Sequence, residues 1–243
     1  PLTTAVSFDA PEGLVYLVMF LGAFGPVFGA CYSVWSLQGR SELRVFLSSF
    51  CRIHIGWKLL GKIVAVLGAV NIVAWYVPEL FGFERYEMLL PSAFVFPAVW
   101  LFMIFFGGGQ EEVGWRGYIL PFLEAEFGIW KGNILLGVVW AIWHLPLWFI
   151  PQANQVHMPF AAFVIGLIGL SFIFSWVMKA APGKPLAGLI AHGTSNALLG
   201  LFPTFEEAAT GFPLRFWVHE VLLLAAGVSV ILWAKNRGTT HPN

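Results

Sequence analysis

Residues 107–127 read GGGQEEVGWRGYILPFLEAEF, and whether this stretch crosses a membrane decides how the rest of the chain is threaded. It is charged toward both ends, with Glu111, Glu112 and Arg116 after the glycine run and Glu124 and Glu126 at its close. Its middle, including Val113, Trp115, Tyr118, Ile119, Leu120, Phe122 and Leu123, is apolar and long enough to span a locally thinned bilayer. A lone charge at the bilayer centre is unfavourable by about 2.5–3.5 kcal/mol on insertion scales. We therefore read 110–127 as a helix packed inside a bundle, with its charges turned away from lipid.

Outward from this stretch the chain is apolar almost throughout. Hydrophobic residues make up 58% of it and charged residues 11%, against roughly 45–50% and about 25% in a soluble domain. That composition describes a polytopic membrane protein of all-α class. Runs of the length that crosses a hydrocarbon core lie at 14–35, 59–77, 89–107, 131–150, 160–178, 185–203 and 216–234. With 110–127 they make a bundle of about eight helices. Formal net charge is zero, so no global field argues for a nucleic-acid partner. Cys31 and Cys51 have neither metal-ligand spacing nor a framework of pairs. The chain opens at Pro1 without a charged segment ahead of a short apolar core, so no cleavable signal peptide is expected. Neither an internal repeat nor a linker divides it, and residues 1–243 read as a single membrane domain.

Between the first two runs, Leu43, Phe46, Leu47 and Phe50 recur at helical spacing opposite Arg44, Ser48 and Arg52, a basic amphipathic helix at the interface over about 40–58. The positive-inside rule places Arg40, Arg44, Arg52, Lys58 and Lys62 in the cytoplasm and Glu79, Glu84 and Glu87 outside. If 110–127 returns outward, Glu111 and His144 share the cytoplasmic leaflet, but Lys235 and Arg237 fall outside, against the rule. A non-spanning 110–127 repairs the terminal charges and carries His144 toward the opposite side. We take co-location of the polar groups as the stronger constraint and expect a site facing the cytoplasm.

Ionisable residues kept inside such segments point to function. Glu111, a carboxylate entering a low-dielectric bundle, suits general base and acid duty, and His144 on a neighbouring helix can share or orient the same water. His192 and Asn196 are four apart, so on a helix they face one way and can donate hydrogen bonds to an oxyanion. Glu111, His144 and His192 equally resemble the ligand set of a zinc hydrolase, although the H-E-x-x-H pattern is missing. Glu112 and Arg116, also four apart, form an ion pair that neutralises charge within the bundle. Each feature has a plainer reading: an acidic helix start, a histidine bonded to a backbone carbonyl, an interhelical hydrogen bond. A proton-coupled transporter using the same ionisable residues is the alternative function, and a scaffold held by polar pairs is a third. His54, His157, His219 and His241 fall near segment ends or in loops and are expected to be solvated. Trp115, Tyr118, Trp140, Trp143 and Trp148 can line a groove, while Pro146 and Pro121 end or kink their helices.

Glu111-Glu112-Val113-Gly114-Trp115-Arg116 resembles the E-E-x-x-x-R motif of the CPBP family of CAAX proteases and bacteriocin-processing enzymes, also called the Abi family. Trp140 with His144, an aromatic residue followed by x-x-x-H, resembles the second family motif, and His192-Gly193-Thr194-Ser195-Asn196 resembles the third, H-x-x-x-N/D. The likeness covers roughly residues 105–200. It implies an intramembrane endopeptidase whose helices surround a polar cavity open to the cytosol. In that family Glu111 and His144 would activate a water, His192 and Asn196 would bind the oxyanion, and Glu112 with Arg116 would support the site. The family has been described as glutamate-type and as metal-dependent, so zinc held by Glu111, His144 and His192 stays open. Its members include enzymes that trim prenylated CAAX proteins and prokaryotic relatives linked to peptide maturation or bacteriocin immunity. The implied partners are a prenylated or other membrane-associated peptide and the lipid bilayer; nothing in the sequence fixes the oligomeric state.

Overall fold

A computed structural model of the chain describes residues 11–205 and 213–237, and all regular structure among them is helical. The helices are α1 (Glu12–Gly22), α2 (Gly25–Gln38), α3 (Arg40–Ser49), α4 (Trp57–Tyr76), α5 (Phe96–Phe105), α6 (Glu112–Gly114), α7 (Leu120–His144), α8 (Phe160–Ala180), α9 (Leu186–Leu201) and α10 (Leu214–Asn236). Five helical stretches are long and apolar enough to cross a membrane: Glu12–Gln38, Trp57–Phe81, Ala93–Phe149, Phe160–Ala180 and Leu214–Asn236. The 57-residue stretch folds back on itself where the backbone at Gly128 leaves the helical region, and α9 adds a shorter apolar helix. The protein is integral to the membrane.

Helix α8 is the bundle's axis, buried along most of its length against α7 and α10. Interior helices in lipid pack through small residues, because lipid tails leave no hydrophobic force to drive them together. Here Gly166 lies against Glu220, Gly169 against Leu223 and Phe172 against Gly227, so α8 and α10 run parallel, while Gly137 against Ile168 and Asn133 bonded to Ser171 make α7 run opposite.

The course of residues 93–127 differs from the expected outward return. Trp100 Nε1 donates to Thr194 Oγ1 at 2.8 Å, Ile104 lies against Gly193, Gly109 against the Leu189 carbonyl and Glu112 against Gly188. Each step forward along 100–112 is thus a step back along α9. The glycine run does not turn the chain. It carries α5 onward into α6 and a π-helical turn, Trp115–Ile119, and the whole of 93–127 makes one pass. Pro121 lies just beyond that turn. Lacking an N–H, it cannot bond the Gly117 carbonyl as an α-helix would, which favours the wider turn.

This single pass sorts the charges. At one end of the bundle lie Arg40 and Arg44 of α3, Arg52 bonded to the Gly183 carbonyl, and Lys184 bonded to the His54 carbonyl. Lys58 and Lys62 begin α4, Lys62 and Arg237 pack on Trp233 near the end of α10 beside Lys235, Lys179 pairs with Glu124, and Lys131 follows the Gly128 break. At the other end, Arg215 bonds the carbonyls of Trp75 and Glu84, Arg85 pairs with Glu79, and the amides of Leu89 and Leu90 bond the Gly200 carbonyl. Lys235 and Arg237 therefore sit with the other basic residues, and the conflict in the sequence count disappears.

The basic connector is helical over Arg40–Ser49 and non-helical from 50 to 56. Phe46 and Phe50 of this segment pack over Gly117 in the π-helical turn. Helix α7 ends at His144, where Leu145–Phe149 with Pro146 forms a 3₁₀ turn.

Candidate active site

Glu111, Glu112, Arg116 and His192 are buried, with exposures of 5%, 1%, 1% and 4%. Glu111, His144, His192 and Asn196 all line one half-open cavity of about 1050 Å³.

Glu111 stands at the cavity's inner end. Its Oε2 accepts from Trp140 Nε1 at 2.9 Å and from Trp115 Nε1 at 3.3 Å. Two indole donors replace the hydration that a buried carboxylate loses. They hold the group by one oxygen and leave Oε1 uncommitted to either. Trp115 and Trp140, expected as groove lining, are thus hydrogen-bond donors to the carboxylate. Their spacing in sequence gives no sign of this, apart from the i,i+4 relation of Glu111 and Trp115.

His144 Nδ1 lies 2.9 Å from the Trp140 carbonyl. A carbonyl only accepts, so the proton is on Nδ1 and Nε2 carries the lone pair. Trp143 and Phe163 pack edge-on to the ring, with centroids at 4.7 and 5.4 Å, and fix its plane.

Glu112 is the hub of a second layer. Its Oε1 accepts from Arg116 Nη1 at 2.8 Å and meets His192 Nδ1 at 2.9 Å. The guanidinium stacks over Trp140 at 4.3 Å and Phe174 at 4.9 Å, and rings are good partners for a weakly hydrated cation out of water. Bonding through Nδ1 turns His192 Nε2 toward the glycine run. Asn196 Nδ2 donates to the Gly107 carbonyl at 2.8 Å. Gly108 has φ +120°, and a Cβ there would meet Asn196 Nδ2 at 2.5 Å and His192 Nε2 at 2.7 Å. Only glycine lets the backbone pass so close to both side chains. The buried Gln110 side chain accepts from the Gly108 amide at 2.9 Å and locks this passage, a contribution the sequence reading missed.

Zinc fits this arrangement poorly. Among the described residues no three His, Cys, Asp or Glu side chains converge as metal ligands would. His219 is a correction to the expected solvation: it is 3% exposed, bonds Glu220 at 3.0 Å and borders the same cavity. His54 is exposed and His157 half-buried, while His241 lies outside the described residues.

Residues 93–198, which carry every one of these motif residues, match the family described as type II CAAX prenyl endopeptidase, Rce1-like. Over this stretch the chain is similar to the Rce1-like family. It is also similar to the CAAX prenyl protease 2 of Methanococcus maripaludis, with 22% identity over 195 residues, covering 76% of this chain and 72% of that protein. With both similarities pointing to CAAX-type endopeptidases, the chain is a peptide hydrolase of the membrane, and the transporter reading of its ionisable residues is set aside.

Proposed function

We propose that the protein hydrolyses a peptide bond of a membrane-anchored peptide, prenylated or otherwise lipid-held, with a water activated by Glu111 and His144. The observation that carries this is the Glu111 carboxylate, held on one oxygen by two indoles at the inner end of a cavity that His144, His192 and Asn196 also line. Water donates one hydrogen bond to the free Glu111 oxygen and another to His144 Nε2, so its lone pair is aimed at the substrate. As the oxygen attacks the carbonyl carbon, Glu111 takes the proton. The carbonyl oxygen becomes an oxyanion that accepts from Asn196 Nδ2 and from His192 Nε2–H. With Nδ1 already committed to Glu112, that second donation needs the imidazolium form, whose charge the Glu112 carboxylate balances. Glu111 then returns the proton to the leaving nitrogen as the C–N bond breaks. Glu112 and Arg116 act through His192 and are positioning residues.

The test uses purified protein, a farnesylated CAAX peptide and an unlipidated control, with wild type compared with Glu111→Ala and His144→Ala, each with and without chelator. The expected result is wild-type cleavage unaffected by chelator and nearly abolished in both variants, which stay monodisperse. Chelator-sensitive cleavage restored by zinc would overturn the metal-free scheme. Loss of folding in both variants would overturn the catalytic assignment of these residues.

A further inference from the structure

Ten of the chain's thirteen basic residues lie at one end of the bundle, on α3 and the connector after it, the first turns of α4, the Gly128 bend, the end of α8 and its turn into α9, and the end of α10. Arg116 is at the site, and Arg85 and Arg215 are at the other end. The cavity runs from the site only toward that other end. Its mouth is bordered by Leu89 and Leu90 ahead of α5, Gln152 and Asn154 ahead of α8, Phe205 after α9 and Phe216 of α10. Nothing that borders it belongs to Arg40–Lys62 or to the α8–α9 turn.

Short loops rich in Lys and Arg stay in the cytoplasm. The segment from Arg40 to Lys62 carries five such residues in a short connector and the span it enters, where the rule applies most strongly. Acidic residues contribute little to orientation, so Glu79, Glu84 and Glu87 at the other end are consistent with the assignment without driving it.

We infer that the cavity is entered from the non-cytoplasmic side, and that the substrate is a membrane-anchored peptide presented from that side. This reverses the cytosolic opening expected from the family likeness. The substrate class rests on the proposed endopeptidase activity, whereas the direction of entry rests on charge and geometry alone. It follows that a peptide tethered in the cytoplasmic leaflet faces the closed, basic end of the bundle. A peptide tethered in the other leaflet faces the mouth, with the glutamate at its inner end.

Native cysteines supply the reference for a test in intact cells. Cys51 is exposed at the basic end, and Asn154 is exposed at the mouth. In a Cys31→Ser background, a membrane-impermeant maleimide is applied to the protein with native Cys51 and to Cys51→Ser proteins carrying Asn154→Cys or Glu87→Cys. The expected result is labelling of positions 154 and 87 in intact cells, and of Cys51 only after permeabilisation. Labelling of Cys51 in intact cells, alone or together with the other positions, would overturn the inference. A second arm offers a farnesylated peptide bearing a sulfonated, impermeant fluorophore to oriented vesicles. Right-side-out vesicles are expected to cleave it directly and inside-out vesicles only after detergent. The reverse pattern, with cleavage lost in Glu111→Ala, would overturn the direction of entry and leave the protease reading standing. The expected labelling with no cleavage by any vesicle would uphold the entry and count against the proposed activity.

Discussion

At the residue scale the site depends on hydrogen bonds to one carboxylate oxygen. Trp140→Phe removes a donor to Glu111 Oε2 and keeps most of the ring that supports Arg116. A hydrogen bond to a charged group contributes about 1.5–3 kcal/mol, so kcat should fall about tenfold to a hundredfold. KM should stay near its wild-type value if the indole acts on Glu111 rather than on substrate, and a matching rise in KM would show the opposite. Gly108→Ala makes a separate claim. A methyl at that backbone angle forces apart Asn196 and His192, so cleavage should drop at least about a hundredfold in a protein that still elutes as one species. Wild-type turnover in Gly108→Ala would mean that the two side chains do not act together. The roles of Trp115 and Trp140 were not legible in the sequence, because a donor is identified only by the acceptor that tertiary packing brings to it. The Glu112–Arg116 pair was legible, since spacing along one helix is enough to predict it.

At the element scale two surfaces hold the chemistry together. The first joins α6 to α9 through Glu112, which pairs with Arg116 and His192 at once. Removing one member of a buried ion pair strands the other and costs about 3–5 kcal/mol. Glu112→Ala and Arg116→Ala should therefore lower the melting temperature in detergent, with activity following the folded fraction. Unchanged melting with lost turnover would move Glu112 and Arg116 into direct contact with substrate. The second surface joins α5 to α9, where Gly193 lies against the backbone of Ile104 and a Cβ would stand 2.6 Å from its Cα. Overpacking of this kind costs about 1–3 kcal/mol. Because Gly193 sits between His192 and Asn196, Gly193→Ala should lose activity beyond its loss of folded protein. Activity that tracked folding alone would show that α9 can shift without disturbing the site. The sequence made this helix and its motif visible, but not the direction of its partner. A glycine run between two apolar stretches reads as a turn, and only the pairing of residues 100–112 with α9 shows that the chain keeps going.

At the scale of the whole molecule, the eight apolar segments were readable from length and composition, while their threading was not. Hydropathy locates segments and says nothing about whether two of them form one pass, and here that choice moves every later segment to the other side. The resulting cavity also bears on how an anchored substrate is chosen. Its walls near α1 and α5, at Tyr16, Met19, Phe102 and Phe106, are mainly apolar. A lipid chain moving from the bilayer onto such walls exchanges one apolar surface for another, so little binding energy is available from the contact itself. What the anchor supplies is local concentration, because tethering turns a search in solution into one within the membrane surface. Cleavage in vesicles should accordingly rise with anchor length until the peptide is fully membrane-bound, then level off. Farnesyl and saturated acyl peptides matched for sequence should be cut at the same rate once each is expressed per unit of membrane-bound substrate. If a preference for the isoprenoid persists after that correction, the cavity wall reads the branched chain directly, and the walls named here would be the place to find how.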